Sequence, residues 1–437
     1  MADRIVDVVV QIAGEDVPAG RLWAHHRARS GSATFEYRSE YLARDDGYAL
    51  DPGLARHIGQ QQTADGRALF GAFSDAAPDG WGRRLVRREG ILRARERDVA
   101  ERDIAEIDYL LGVRDDLRQG ALRFRDPQVG TYLAGHRGVP HLIDLRRLLG
   151  AAEQLERDEV SDEDLRILLD GGSSLGGARP KAHVIDGEGR LGIAKFPAPA
   201  GDEWDVIRWE AVALKLARDA GIQVPRFDLH DIDRRPVLIV RRFDRDPRGR
   251  IGYVSAMTML EAIDGEHGSY LEIAEAIEER SSAATADLRE LWRRIVFSRL
   301  ISNTDDHLRN HGFLRTSTAG WALSPAFDLN PDPNPGTKRF STAIDESRAD
   351  GEIEIAVELA DLFRLTAREA DEAIADLCAA TSRWRDVAVA TGLSQGEIER
   401  MSGAFEHERA HLARERAKAI RPLNKAHRSA RPTRPRR

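Results

Sequence analysis

Four glycines fall within seven residues, Gly171, Gly172, Gly176 and Gly177, and Lys181 follows where an apolar run begins. Lacking a Cβ, such backbones can bring their N–H groups close to phosphate oxygens. The segment after the loop narrows the fold. Residues 181–185 and 190–196 read as two strands joined by Asp186-Gly187-Glu188-Gly189, a hairpin by its turn chemistry. The Gly-Lys-Ser/Thr order of a Walker A loop is missing, and a dinucleotide fingerprint would open a helix rather than a strand. A glycine loop that opens a hairpin remains, either as a phosphate cradle or as an ordinary surface loop.

With 437 residues the chain exceeds one small domain. Its 41% hydrophobic and 32% charged content allows a sizeable core and excludes collagen-like, low-complexity and wholly disordered chains. No apolar run approaches the ~18 residues of a membrane helix, and Met1-Ala2-Asp3-Arg4 opens no secretory signal. Cys378 is the single cysteine, which excludes an intrachain disulfide and a cysteine-rich metal site. A cytoplasmic location without membrane partners is the expectation. Residues 411–437 hold ten Lys or Arg against one Glu, a net +9, while the preceding 410 residues carry 56 basic against 72 acidic, a net −16. That end reads as a flexible basic tail, either simply solvated or able to touch nucleic acid or an acidic partner.

The first third opens with a β-rich run over residues 5–12, short strand-like pieces at 21–24 and 33–38, and a basic helical stretch after Asp79-Gly80-Trp81-Gly82. After the glycine loop and hairpin, residues 203–220 predict a helix, Val237–Val240 a strand and residues 287–302 a second helix. Thr366-Ala367-Arg368-Glu369 and Ser394-Gln395-Gly396-Glu397 fit capping boxes.

Charged residues on apolar elements point to chemistry. Lys195 sits in the strand Gly192-Ile193-Ala194-Lys195-Phe196, and Glu210 shares a helical face with Ile207, Ala211 and Leu214. Each needs a counter-charge, and a Lys195–Glu210 pair would satisfy both, as strand lysine and helix glutamate do in protein kinases. A structural ion pair, or Glu210 turned to solvent, remains the alternative. Asp305 and Asn310 have the Asp-x-x-x-x-Asn spacing of a kinase catalytic loop. A hairpin over Gly312–Leu314 and Trp321–Leu323 then leads to Pro325-Ala326-Phe327-Asp328-Leu329. Asp305 can accept a hydroxyl proton, while Asn310 and Asp328 offer hard oxygen ligands for Mg²⁺. His307 follows the aspartate rather than preceding it, and Leu329 stands where Asp-Phe-Gly would have glycine. A polar turn at Asp305-Asp306 and a buried histidine at 307 are the bland readings. Histidine spacing suits zinc poorly.

Taken together, the chain resembles the HipA-type bacterial serine/threonine kinases, toxin halves of type II toxin–antitoxin modules. The likeness rests on Ser174-Leu175-Gly176-Gly177-Ala178-Arg179-Pro180-Lys181, Ala194-Lys195-Phe196-Pro197, Gly221-Ile222-Gln223-Val224-Pro225, Arg242-Phe243-Asp244-Arg245, Asn303-Thr304-Asp305-Asp306-His307-Leu308-Arg309-Asn310 and Pro325-Ala326-Phe327-Asp328-Leu329. Ala77-Pro78-Asp79-Gly80-Trp81-Gly82 and Gly120-Ala121-Leu122-Arg123-Phe124 resemble that family's N-terminal module. The resemblance implies an α+β, two-lobed protein-kinase-like fold. Its parts would be an N-terminal β-containing subdomain at 1–150, a β-rich lobe with the glycine loop at 151–248, a helical lobe at 249–410 and the basic tail at 411–437.

It further implies ATP and Mg²⁺ as cofactors and Asp305 as the catalytic aspartate. Asn310 and Asp328 would hold metal. Lys195, Lys181, Gly176 and Gly177 would bind ATP, with Glu210 as the partner of Lys195, Phe243 near adenine and His307 supporting the loop. Ser174, or its neighbour Ser173, would be autophosphorylated and so inactivate the enzyme. A helix-turn-helix antitoxin would be the partner, DNA being reached through it or through the tail, and an aminoacyl-tRNA synthetase the substrate class. Arg179-Pro180 and Arg241 depart from common family residues and bear on loop and hinge detail. A non-catalytic scaffold acting with an antitoxin, or a small-molecule or lipid kinase, are the alternatives.

Overall fold

The computed structural model describes residues 3–25, 31–78, 80–96, 98, 103–135, 139–172, 179–199, 201–263, 265–266, 268–336, 338–345 and 353–429; side chains are described to 419, except that of Ile143. Two compact units divide the chain. The first comprises Met1–Glu203, Pro225–Asp264 and His311–Ser324; the second comprises Trp204–Val224, Gly265–Asn310 and Pro325–Arg437. Both are discontinuous in sequence, so linear cuts at 150 and 248 do not follow them.

All named strands lie in the first unit. A five-stranded antiparallel sheet is built from β1 (Arg4–Ile12), β2 (Glu15–His25), β3 (Ser32–Tyr37), β4 (Gln60–Gln62) and β5 (Leu122–Arg125), in the order β4-β3-β2-β1-β5. Val6, Val8 and Val10 are buried at the period of two that a half-covered strand requires, while Ile5 faces out. A register shift between Val8 and Val9 turns Val9 inward as well. Phe35, Phe70, Phe73 and Phe124 pack edge to face or tilted beneath this sheet, with ring centroids 5.7–6.5 Å apart.

A second sheet, order β6-β7-β9-β8, contains β6 (Lys181–Ile185), β7 (Leu191–Lys195), β8 (Phe227–Ile232) and β9 (Arg235–Arg241). The β6–β7 hairpin turns at 186–190, where Asp186 accepts from the Glu188 and Arg190 backbone N–H groups. The helices Gly80–Glu96, Leu145–Glu156 and Asp162–Asp170 share one apolar cluster with this sheet, including Trp81, Leu85, Leu148, Leu168, Val184 and Phe196. Trp81 also donates its indole N–H to the Lys181 carbonyl (2.7 Å), which ties the helix started by the Gly-Trp-Gly motif to the strand after the glycine loop. A ribbon of β10 (Arg245–Asp246) and β11 (Gly249–Arg250) precedes a third sheet, in which β12 (Gly252–Ser255) pairs with β13 (Gly312–Ser317), itself paired with β14 (Gly320–Leu323).

The second unit is helical among its described residues. Helices Val206–Asp219, Trp384–Ala390 and Ser402–Phe405 bring Trp209, Trp384 and Phe405 together, with the last two stacked at 4.7 Å. In helix Ala284–Leu300, Trp292 donates to the Ala356 carbonyl (2.7 Å). Thr366 and Glu369 form the expected capping box of helix Ala367–Thr381; Ser394 caps helix Gln395–Arg400. The basic end differs from the expected flexible tail, since helix Glu408–Ser429 covers most of it. Ala410, Ala413 and Ala417 recur on one face of that helix and are buried, which supplies the packing that charge composition alone did not reveal. Residues 430–437 lie outside the described residues. Among the described residues no helix is long and apolar enough to cross a membrane.

Candidate active site

In the first unit, Lys195 closes β7 directly opposite Lys181 at the start of β6. Two ammonium groups at one cross-strand position repel, and anionic neighbours or a polyanionic ligand relieve that cost. Gly172, at the root of the glycine loop, has φ +78°, a left-handed conformation that glycine adopts without penalty. Gly176, Gly177, Ser173 and Ser174 lie outside the described residues. Phe243 follows β9, its ring 6.5 Å from that of Tyr253. The residues beside it are buried and polar: Arg242 donates from Nε to Asp244 Oδ1 (2.8 Å) and from Nη2 to Oδ2 (2.5 Å). Burial alone would raise the Asp244 pKa, but Arg242 and Arg245 outweigh it and hold the carboxyl well below the usual carboxylate range.

In the second unit, helix Ala284–Leu300 ends at Ile301, and Ser302 turns the chain with φ +53°. The loop beyond it is folded on itself. His307 N–H donates to the Asp305 carbonyl (2.9 Å), Asn310 N–H to the His307 carbonyl (2.8 Å), and Asn310 Nδ2 to the Asp305 carbonyl (3.1 Å). Asn310 Oδ1 is thereby left as the acceptor end of that amide. Asp305 is open to solvent on one side and covered on the other, whereas Asp306 is buried. Asp306 is therefore no solvent-facing turn residue. It accepts from the Tyr270 hydroxyl and from Ser298 Oγ (3.1 Å), and its carbonyl accepts from Thr342 Oγ1 (2.6 Å). Arg299 lies over the Phe340 ring (3.8 Å) and donates to the Thr342 carbonyl (2.9 Å), which backs the same clamp.

Asp328 also has a left-handed backbone, φ +59°, a conformation that costs a non-glycine residue about 1–2 kcal/mol and persists where surrounding bonds hold it. Those bonds come from Asn330, which donates its side-chain amide to the Asp328 carbonyl (3.2 Å) and its backbone N–H to Asn303 Oδ1 (3.1 Å). Thr304 Oγ1 donates to Asp332 Oδ2 (3.1 Å), a second stitch between the two segments. Partial burial raises the Asp305 pKa; Asp328 and Asp306 raise it further and His307 opposes them. Mutual repulsion between Asp305 and Asp328 marks a place where a cation is favoured. The donor set of Asn310 and Asp328 is all oxygen, as Mg²⁺ requires, and phosphates and water customarily complete such a shell. Among the described residues no group of three or more His, Cys, Asp or Glu could hold a metal, so any ion here would depend on the amide and on its ligands.

Sequence reasoning missed Tyr270, Ser298, Thr342, Asn303 and Asn330. The first and third are 36 residues from Asp306 in opposite directions, beyond any helical or hairpin spacing. Glu210 is buried in helix Val206–Asp219, as its place on an apolar face suggested.

Known proteins share both halves of this chain. Residues 10–104 match the model described as the HipA N-terminal domain, and residues 173–384 that of the HipA-like C-terminal domain. The chain is 31% identical over 162 residues to "Putative kinase Y4dM" of Sinorhizobium fredii and 25% identical over 182 residues to a "Putative kinase" of Haemophilus influenzae. These alignments span 33% and 36% of this chain and 39% and 52% of those relatives. A solved complex of Shewanella oneidensis HipA with HipB and operator DNA contains a chain of similar fold, with a TM-score of 0.63 at 15% identity. That match covers 95% of this chain and 97% of the other. The fold is thus α+β and kinase-like, and with both HipA domains in order along one polypeptide, the chain belongs to the HipA family.

Proposed function

We propose that the protein is an ATP- and Mg²⁺-dependent serine/threonine protein kinase, the toxin of a toxin–antitoxin pair. The observation that carries this reading is the loop in which Asn310 is tied to the Asp305 backbone while burial and the neighbouring Asp328 carboxylate raise the pKa of Asp305. A Ser or Thr hydroxyl attacks the γ-phosphorus, the bond from that phosphorus to the ADP oxygen breaks, and the hydroxyl proton passes to the Asp305 carboxylate. Asn310 and Asp328 hold Mg²⁺, which offsets phosphate charge when bound. Lys195 and Lys181 bind the phosphates, and Phe243 lies against adenine. The His307 backbone, bonded on both sides to Asp305 and Asn310, keeps their spacing.

Ser174, with Ser173 as alternate, is the self-phosphorylated residue. The similar HipA occurs in a complex with HipB and operator DNA. By that analogy an antitoxin is the partner and DNA is reached through it; the family resemblance in the sequence makes that partner a helix-turn-helix protein and the substrate a translation component such as an aminoacyl-tRNA synthetase, in the cytoplasm.

Intact mass after incubation with ATP and Mg²⁺ tests the reading. A phosphate-sized increase is expected for wild type and none for Asp305→Ala. Equal labelling of both would remove Asp305 from catalysis. Ser174→Ala should lose most of the increase, and peptide mapping to a different residue would reassign the site.

A further inference from the structure

One turn of the first unit, Arg114–Gly120, reaches both parts of that unit to which the kinase reading assigns nucleotide. At the root of the glycine loop, Arg114 donates to the Asp170 carbonyl (2.6 Å). A Cβ on Gly172 would collide with Leu117 Cδ1 and lie 3.1 Å from His183 Nδ1. At the Arg242–Asp244 segment, Arg242 donates to the carbonyls of Leu117 (2.5 Å) and Arg118 (3.1 Å), and Gly120 N–H donates to Asp244 Oδ2 (2.8 Å). Arg245 donates to the Arg118 carbonyl (2.7 Å) as well.

His183 joins the two ends. Its backbone N–H (2.7 Å) and its ring Nδ1–H (3.0 Å) both donate to the Gly171 carbonyl, and its Nε2 accepts from Arg242 (2.8 Å). With one nitrogen donating and the other accepting, the ring is neutral. It is fully buried in strand β6, so it cannot swing without breaking bonds on both sides.

We propose that the Arg114–Gly120 turn positions the root of the glycine loop and the Arg242–Asp244 segment together, acting through Leu117, His183 and Arg242, so that this turn sets nucleotide affinity. This rests on the kinase reading of the same unit. None of these groups touches reacting atoms; they are positioning residues. Their loss registers in the binding of ATP more than in the transfer step.

The full chain, ATP and Mg²⁺ provide the test, with affinity from calorimetry and KM and kcat from phosphate transfer. Gly172→Ala introduces the collision with Leu117 and is expected to weaken ATP about tenfold while kcat stays within about twofold. Leu117→Ala alone is expected to weaken ATP about threefold, and Leu117→Ala/Gly172→Ala to bind better than Gly172→Ala but short of that level, because the Cδ1 collision is relieved while the left-handed backbone and the close contacts with Leu117 Cβ and His183 Nδ1 remain. A merely structural role would lower thermal stability in the variants and leave the ATP affinity of the folded protein unchanged. Wild-type affinity in Gly172→Ala, or no recovery in the double, overturns the proposal. Should Gly172→Ala fail to fold, Leu117→Ala carries the test, and unchanged affinity overturns it. Failure of wild type to bind ATP overturns both this inference and the kinase reading; binding in wild type with unmoved variants overturns the inference alone.

Discussion

Two buried polar clusters in this molecule follow opposite rules. Around Arg242, every polar atom of Arg242, Asp244 and the His183 ring has a hydrogen-bond partner, although Arg118 Nε, Arg241 Nη2 and Arg250 Nη1 beside them have none among the described residues. Around the catalytic-type loop, Ser302 Oγ, Asn303 Nδ2, His307 Nδ1 and Asn330 Oδ1 are buried with no hydrogen-bond partner among the described residues. An unmet buried donor or acceptor costs about 1–3 kcal/mol, so the second cluster is poorly optimised as mere scaffolding. The two aspartates show the same contrast: Asp244 is held ionised by arginines, whereas Asp305 is pushed toward protonation by burial and by neighbouring carboxylates.

The contrast is broken most sharply at Asp305. Asp305→Ala should lower phosphate transfer by about a thousandfold, on the scale of lost base and electrostatic terms, while leaving the denaturant midpoint near wild type. A large loss of stability would show that this loop too is scaffolding. Arg242→Met should do the reverse and destabilise by about 3 kcal/mol, since it leaves Asp244 Oδ1 without its donor and Oδ2 with only Arg245 and the Gly120 N–H. Arg242→Met/Asp244→Leu should recover much of that in urea titrations, and no recovery would argue against a pairwise network.

A smaller effect concerns pH. The depressed Asp244 pKa contributes stability above about pH 4 that is lost as pH falls further, so Asp244→Asn should flatten the acid limb. The raised Asp305 pKa has the opposite sign: its contribution is present below about pH 4 and lost as pH rises through the folded value. Asp305→Asn should therefore gain stability on wild type between acid and neutral pH, and midpoints measured across that range check both signs. The smallest expected change in stability is for Asn330→Ala, below about 1 kcal/mol because its amide oxygen already lacks a partner. Transfer should still fall about tenfold, since Asn330 braces Asp328. Unchanged transfer would place Asn330 outside the open cluster.

Local chemistry was legible in advance. The hairpin over 181–195 follows from Asp186 and its glycines, the helix starts from Thr366 and Ser394, and the Asp305–Asn310 spacing from six consecutive residues. What could not be read were bonds between distant segments. Arg242 meets Leu117 across 125 positions, and Tyr270 meets Asp306 across 36, with no period to betray either. The helix Glu408–Ser429 was hidden for a different reason: its buried face is alanine, which carries little hydrophobic signal beside so many arginines.

The first unit is assembled from three separate stretches, and its last stretch, His311–Ser324, falls between the loop ending at Asn310 and the segment carrying Asp328. In β12, Val254 pairs with Phe313. During synthesis that strand therefore leaves the ribosome long before its neighbour exists, for several seconds at about 5–20 residues per second. Until Leu323 has emerged, an open sheet edge is presented to anything nearby. Neither unit is one continuous stretch of chain, so neither can be produced as one continuous fragment.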